Sequence, residues 1–80
     1  MSLVMKKEKR LCDLAVGERG RVCALRATGA LRRRFLDVGF YIGASVLCVG
    51  KSPMKNPRAY MIGGMEVAIR QKDAEEIIIE

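Results

Sequence analysis

Eighty residues, half of them hydrophobic, suit one small domain with a single core, and they exclude a disordered chain. The formal charge of +6 is uneven, with +8 over residues 1–57 and −2 over residues 58–80, which points to an acidic partner such as nucleic acid, anionic lipid or an acidic protein face. No apolar run approaches the roughly 20 residues that span a bilayer, and MSLVMKKEKR puts its charges after a short apolar run, unlike a secretory leader, so a cytoplasmic protein is expected.

Residues 1–10, with Lys6, Lys7, Lys9 and Arg10, read as a flexible N-terminal arm, and residues 11–80 as the folded domain. Cys12 to Glu18 is a lead-in turn. Gly20–Leu25 (GRVCAL) is a strand of small and β-branched residues. Ala27-Thr28-Gly29 interrupts it, and Thr28 is placed to cap a helix. In LRRRFLDVGFYIG, Leu31, Phe35 and Val38 recur at i, i+4 and i+7 and share one helical face. Gly39 follows where a left-handed residue ends a helix, because glycine has no Cβ to clash there. Phe40 then stands where it can pack back on Phe35.

Ser45–Lys51 (SVLCVGK) is a second strand. Ser52–Pro57 (SPMKNP) is a loop whose prolines resist strand continuation. Arg58–Ile62 (RAYMI) and Met65–Arg70 (MEVAIR) form a hairpin about Gly63-Gly64, the pair that supplies positive φ for a tight turn. Lys72–Glu76 makes one helical turn, and Ile77–Ile79 closes as a last strand. About five short strands, one inserted helix and a short helical turn near the C-terminus predict a mainly β fold, a small SH3-like barrel.

Chemistry-bearing patterns are few. The chain has no histidine, and its three cysteines, Cys12, Cys23 and Cys48, are far apart with no C-x-x-C pair, so neither a metal site nor a cofactor is expected. Cys23 and Cys48 lie in apolar runs, where a free cysteine behaves as a small hydrophobe. There is no nucleophile elbow and no phosphate-binding glycine loop. Asp13, Glu18 and Asp37 stand apart in sequence, so no convergent acid–base set suggests catalysis.

The succession LCDLAVGERGRV, ALRRRFLDVGFYIGASV, SPMKNP and GGMEVAIRQKDAEEIIIE resembles the FeoA family over residues 11–80. The matching positions are Gly17, Arg34-Phe35-Leu36, Gly39, Gly43, Pro53, Pro57, Ala68-Ile69-Arg70, Ala74 and Ile77. The chain departs from the family pattern at Ile42, where proline is usual, and at Lys55-Asn56, where Gly-Asp is common. The resemblance implies an SH3-like barrel and a non-enzymatic cytosolic adaptor for ferrous iron uptake, docking on the cytosolic GTPase region of the FeoB transporter. A similar barrel forms the C-terminal module of DtxR-type repressors, so the alternative is a basic nucleic-acid-binding or iron-dependent regulatory module. Few aromatic residues weigh against nucleic acid, because single-strand binders need stacking platforms.

The docking surface is expected on the outer side of the inserted helix and the loop near it: Arg32, Arg33, Phe35, Leu36, Met54 and Lys55. Leu36 follows Phe35 by about 100° of helical twist. It is therefore turned away from the core stripe, toward Arg32. An apolar residue rimmed by arginines suits a protein partner; the competing reading packs Leu36 against the strand after Gly43.

Overall fold

The computed structural model describes residues 8–51 and 57–80. The elements run β1 (Lys9–Arg10), a 3-10 turn (Leu11–Asp13), β2 (Arg19–Leu25), α1 (Gly29–Val38), β3 (Ser45–Lys51), β4 (Arg58–Ile62), β5 (Met65–Ile69), α2 (Gln71–Ala74) and β6 (Ile77–Ile79). Six strands pair antiparallel in the order β1-β6-β2-β3-β4-β5.

All five expected strands are present, and β1 is added within the stretch read as an arm. Lys9 pairs with Ile79 and Arg10 with Ile78, so the domain begins before Leu11. Two residues cannot show the period of 2 that marks a strand in sequence. Residues 1–7 and the 52–56 loop, with Met54 and Lys55, lie outside the described residues.

Strand β2 turns the corner of the barrel. Arg19 to Arg21 pair with β3, while Val22 to Leu25 pair with β6, and the register slips between Val22 and Ala24. A bulge of this kind bends its strand and raises the local twist, which lets one strand serve two neighbours. A second slip lies between Cys48 and Gly50, where β3 faces β4.

The helix ends as its residues dictate. Gly39 adopts φ 118°. Its N–H donates to the Leu36 carbonyl, and the Phe40 N–H donates to the Phe35 carbonyl at 2.8 Å. These are the two bonds of a Schellman motif, which satisfies carbonyls left over at a helix end. At the other end Thr28 occupies the cap position in extended backbone, but its side chain makes no capping bond.

The core gathers Phe35, Phe40, Tyr60, Leu11, Leu14, Val22, Val46, Cys48 and Ile77, with Leu31 and Val38 packed against it. Strand β4 also anchors the chain before β2. The Tyr60 hydroxyl reaches the Leu11 carbonyl at 3.4 Å, and Arg58 Nη1 donates to the carbonyls of Cys12 and Leu14. Burial pushes the Tyr60 phenol up to about 12, because a phenolate in this core would lose its hydration. Among the described residues no helix is long and apolar enough to cross a membrane.

Candidate docking surface

Helix α1 presents three consecutive arginines, and helical twist distributes them. Residues three and four apart are surface neighbours on a helix, so Gly29, Arg32, Arg33 and Leu36 come together with Asp37 around a shallow depression of about 390 Å³. Arg34 faces another groove, beside Ala68 and Arg70. Leu36 is 43% exposed. Part of its side chain is therefore open to solvent. Arg32 and Arg33 are exposed and have no ion-pair partner among the described residues.

Phe35 does not belong to this surface. It is only 3% exposed, and its ring packs edge-to-face on Phe40. Its place in the stripe with Leu31 and Val38 carries it into the core, so it supports this surface from beneath and is not part of it. Of the six residues expected to dock, Arg32, Arg33 and Leu36 are brought together.

The sequence reading missed the largest exposed apolar side chains. Tyr41 and Ile42 are 59% and 62% exposed, and Met65 is 54% exposed. Tyr41 lines a second depression of about 250 Å³ with Gly39, Ala44, Ser45, Ile62 and Gly63, and Met65 stands opposite Ile62 across the β4–β5 hairpin. The helix C-terminus and the hairpin turn thus share one end of the barrel. The signal was present, since Tyr41-Ile42 sits between Gly39 and Gly43, outside both the helical stripe and the next strand.

The arrangement suits noncovalent recognition, with exposed Leu36 beside the Arg32 and Arg33 guanidinium groups, which have no ion-pair partner among the described residues. Among the described residues no group of three or more His, Cys, Asp or Glu side chains converges as a metal site. Cys12, Cys23 and Cys48 are free thiols. Burial, with Asp13 and Glu75 nearby, pushes the Cys12 thiol up, away from the thiolate form that binds metals.

A family model for the FeoA domain matches residues 9–80. The chain belongs to the FeoA family. Among curated proteins it is similar to the Fe(2+) transport protein A/Fe(2+) transporter FeoB fusion protein of Porphyromonas gingivalis (strain ATCC BAA-308 / W83), with 31% identity over 71 residues, or 89% of the chain. It spans only 8% of that relative's length. Among solved structures, iron(II) transport protein A from Clostridium thermocellum superposes with a TM-score of 0.87 at 26% identity, covering 90% of this chain and 44% of that one. FeoA of Stenotrophomonas maltophilia, complexed with zinc and described as a prokaryotic SH3 domain protein possibly acting as a ferrous iron transport activating factor, gives a TM-score of 0.80 at 25% identity, covering 90% and 89%. The expected mainly β, SH3-like barrel is the fold of this FeoA chain.

Proposed function

We propose that this FeoA protein is a non-catalytic adaptor that supports ferrous iron uptake by docking on the cytosolic GTPase region of an FeoB-type transporter. The observation that carries the reading is the Porphyromonas gingivalis relative, whose name joins an FeoA part and an FeoB transporter in one fusion protein. Tethering raises the effective concentration of one module at the other to about millimolar for short linkers, which is of use where the two parts act together. The outer face of α1 supplies a matching surface, with exposed Leu36 as apolar anchor and Arg32 and Arg33 as its polar rim.

Capture of a purified FeoB cytosolic region by the immobilised protein tests this. Leu36→Asp and Arg32→Glu are expected to weaken capture at least tenfold while the thermal midpoint stays near wild type. Undiminished capture by both folded variants would move the docking surface elsewhere, and no capture by the wild type would remove the proposed partner. The aromatic residues weigh against a nucleic-acid role. Phe35, Phe40 and Tyr60 are buried, and of the four aromatic residues only Tyr41 offers a free ring.

A further inference from the structure

The two edges of the sheet are guarded unequally. Strand β1 is two residues long and both are cations, whereas β5 offers five residues, Met65–Ile69. Short, charged edges resist further pairing, and longer ones invite it. In an antiparallel ladder alternate residues turn their N–H and C=O away from the partner strand. Among the described residues no backbone bond reaches β5 from its outer side.

A groove of about 720 Å³ opens beside this edge, between Arg34, Phe35 and Val38 of α1 and the run Ala68-Ile69-Arg70. Successive strand residues point to opposite faces, so a groove lined by both Ala68 and Ile69 opens on the edge of β5 and not on one face of the sheet. Arg34, Arg70 and Lys72 border it, against Asp73 as the single acidic residue of the lining. None of the three cations has an ion-pair partner among the described residues. Among the described residues the groove therefore combines an unpaired backbone edge with positive charge that no ion pair neutralises.

We propose that it receives an extended acidic segment of a partner protein, which adds as a strand to β5 and sets its carboxylates against Arg34, Arg70 and Lys72. Main-chain bonds supply affinity in this mode and side-chain contacts supply selectivity. A second copy of β5 would bring a single carboxylate, Glu66, toward three cations, fewer than an acidic segment supplies. Residues 1–7, MSLVMKK, carry two lysines and no acid, so they fit no better. A nucleic acid matches the charge but brings no amide ladder to the edge. The proposal stands apart from docking at Arg32, Arg33 and Leu36, which line a different depression, and either can fail alone.

The test is an NMR titration of the isotope-labelled full chain with a capped heptapeptide of alternating Glu and Thr. Saturable shifts in Met65–Arg70, slowed exchange of alternate β5 amides and weakening with salt are expected. The double variant Arg34→Glu, Lys72→Glu should bind at least tenfold more weakly. The same peptide N-methylated at alternate residues keeps its charge but loses its donors, and should bind at least tenfold more weakly to the unaltered chain. Equal binding of the methylated peptide would overturn the proposal. So would shifts confined to Arg32 and Arg33, pairing of β5 with β5 at rising protein concentration, or displacement of the peptide by an equimolar dT oligonucleotide.

Discussion

The rings of Phe35 and Phe40 meet edge-to-face, 6.0 Å between centroids and 71° between planes. They are the residues at either side of the helix stop, joined also by the bond from the Phe40 N–H to the Phe35 carbonyl. One contact therefore sets both the end of α1 and the direction in which the chain leaves it. The arginines and Leu36 are displayed from that frame.

Two substitutions separate the backbone part of this device from its packing part. At Gly39 a Cβ would meet only Ile62 Cγ1 at 3.8 Å, ordinary contact, whereas φ is 118°. Gly39→Ala should thus cost about 1–2 kcal/mol through backbone strain alone. Phe40→Ala removes a fully buried ring and should cost about 3–5 kcal/mol, a large part of the stability expected for a domain of this size. Urea unfolding is expected to rank the two variants in that order. A Gly39→Ala protein as stable as wild type would show that the left-handed residue is not needed here.

Tyr60 predicts a limit on the alkaline side. Its folded value is raised above the ordinary 10.0 to about 12. Its stabilisation is therefore complete below pH 10 and is lost as pH rises toward 12, where the unfolded chain ionises first. Tyr60→Phe should flatten stability between those values, read from denaturant midpoints across the range. On the acid side the sign reverses. Lys9 Nζ, 2.5 Å from Glu18, and the Ala15 N–H hold the Glu18 carboxyl below its usual range. That support for β1 is present above the ordinary carboxylate value and is lost as pH falls through the lowered one. Glu18→Gln should remove this part of the acid response, seen as a smaller fall in the denaturant midpoint as pH drops through the lowered carboxylate value.

Much of the architecture could be read from residue order because each signal was local. The Gly63-Gly64 pair, with φ of 58° and 79°, announces its hairpin, and the spacing of Leu31, Phe35 and Val38 announces a one-sided helix. The missing parts depend on distant contacts. Lys9 and Arg10 are a strand only because Ile78 and Ile79 lie beside them. Thr28 has the chemistry of a cap, yet its hydroxyl is not used. At the docking surface, the arginines and Leu36 follow from helical twist, while the exposure of Tyr41, Ile42 and Met65 is decided by how the helix end meets the hairpin.

Metal content is a third expectation. With no histidine in the chain, a Cys12 thiol raised by burial and no converging group of three Cys, Asp or Glu side chains among the described residues, a four-ligand set for iron or zinc is not preformed there. Elemental analysis of protein prepared without added metal should find well under one ion per chain. A stoichiometric ion, lost when Cys12, Cys23 and Cys48 are replaced by serine, would contradict this.

Nucleic-acid binding should be weak and set by salt alone. Cations without stacking partners give affinity that falls steeply as counterions compete. Titration with single- and double-stranded oligonucleotides is expected to show no submicromolar binding at about 0.15 M salt, the physiological strength. Tight binding that survives there would favour a regulatory module over an adaptor.

The position of β6 between β1 and β2 has a kinetic consequence. Ile77, Ile78 and Ile79 are all buried, and their partners lie at residues 9–10 and 22–25, whereas β3, β4 and β5 meet through short connections along the chain. Loop-closure entropy delays the distant pairings, so the β3–β4–β5 meander is expected to assemble early and closure by the final isoleucines to come late. Ile78→Val should then accelerate unfolding and leave the refolding rate almost unchanged. A ribosome must therefore release Ile77–Ile79 before this barrel can shut.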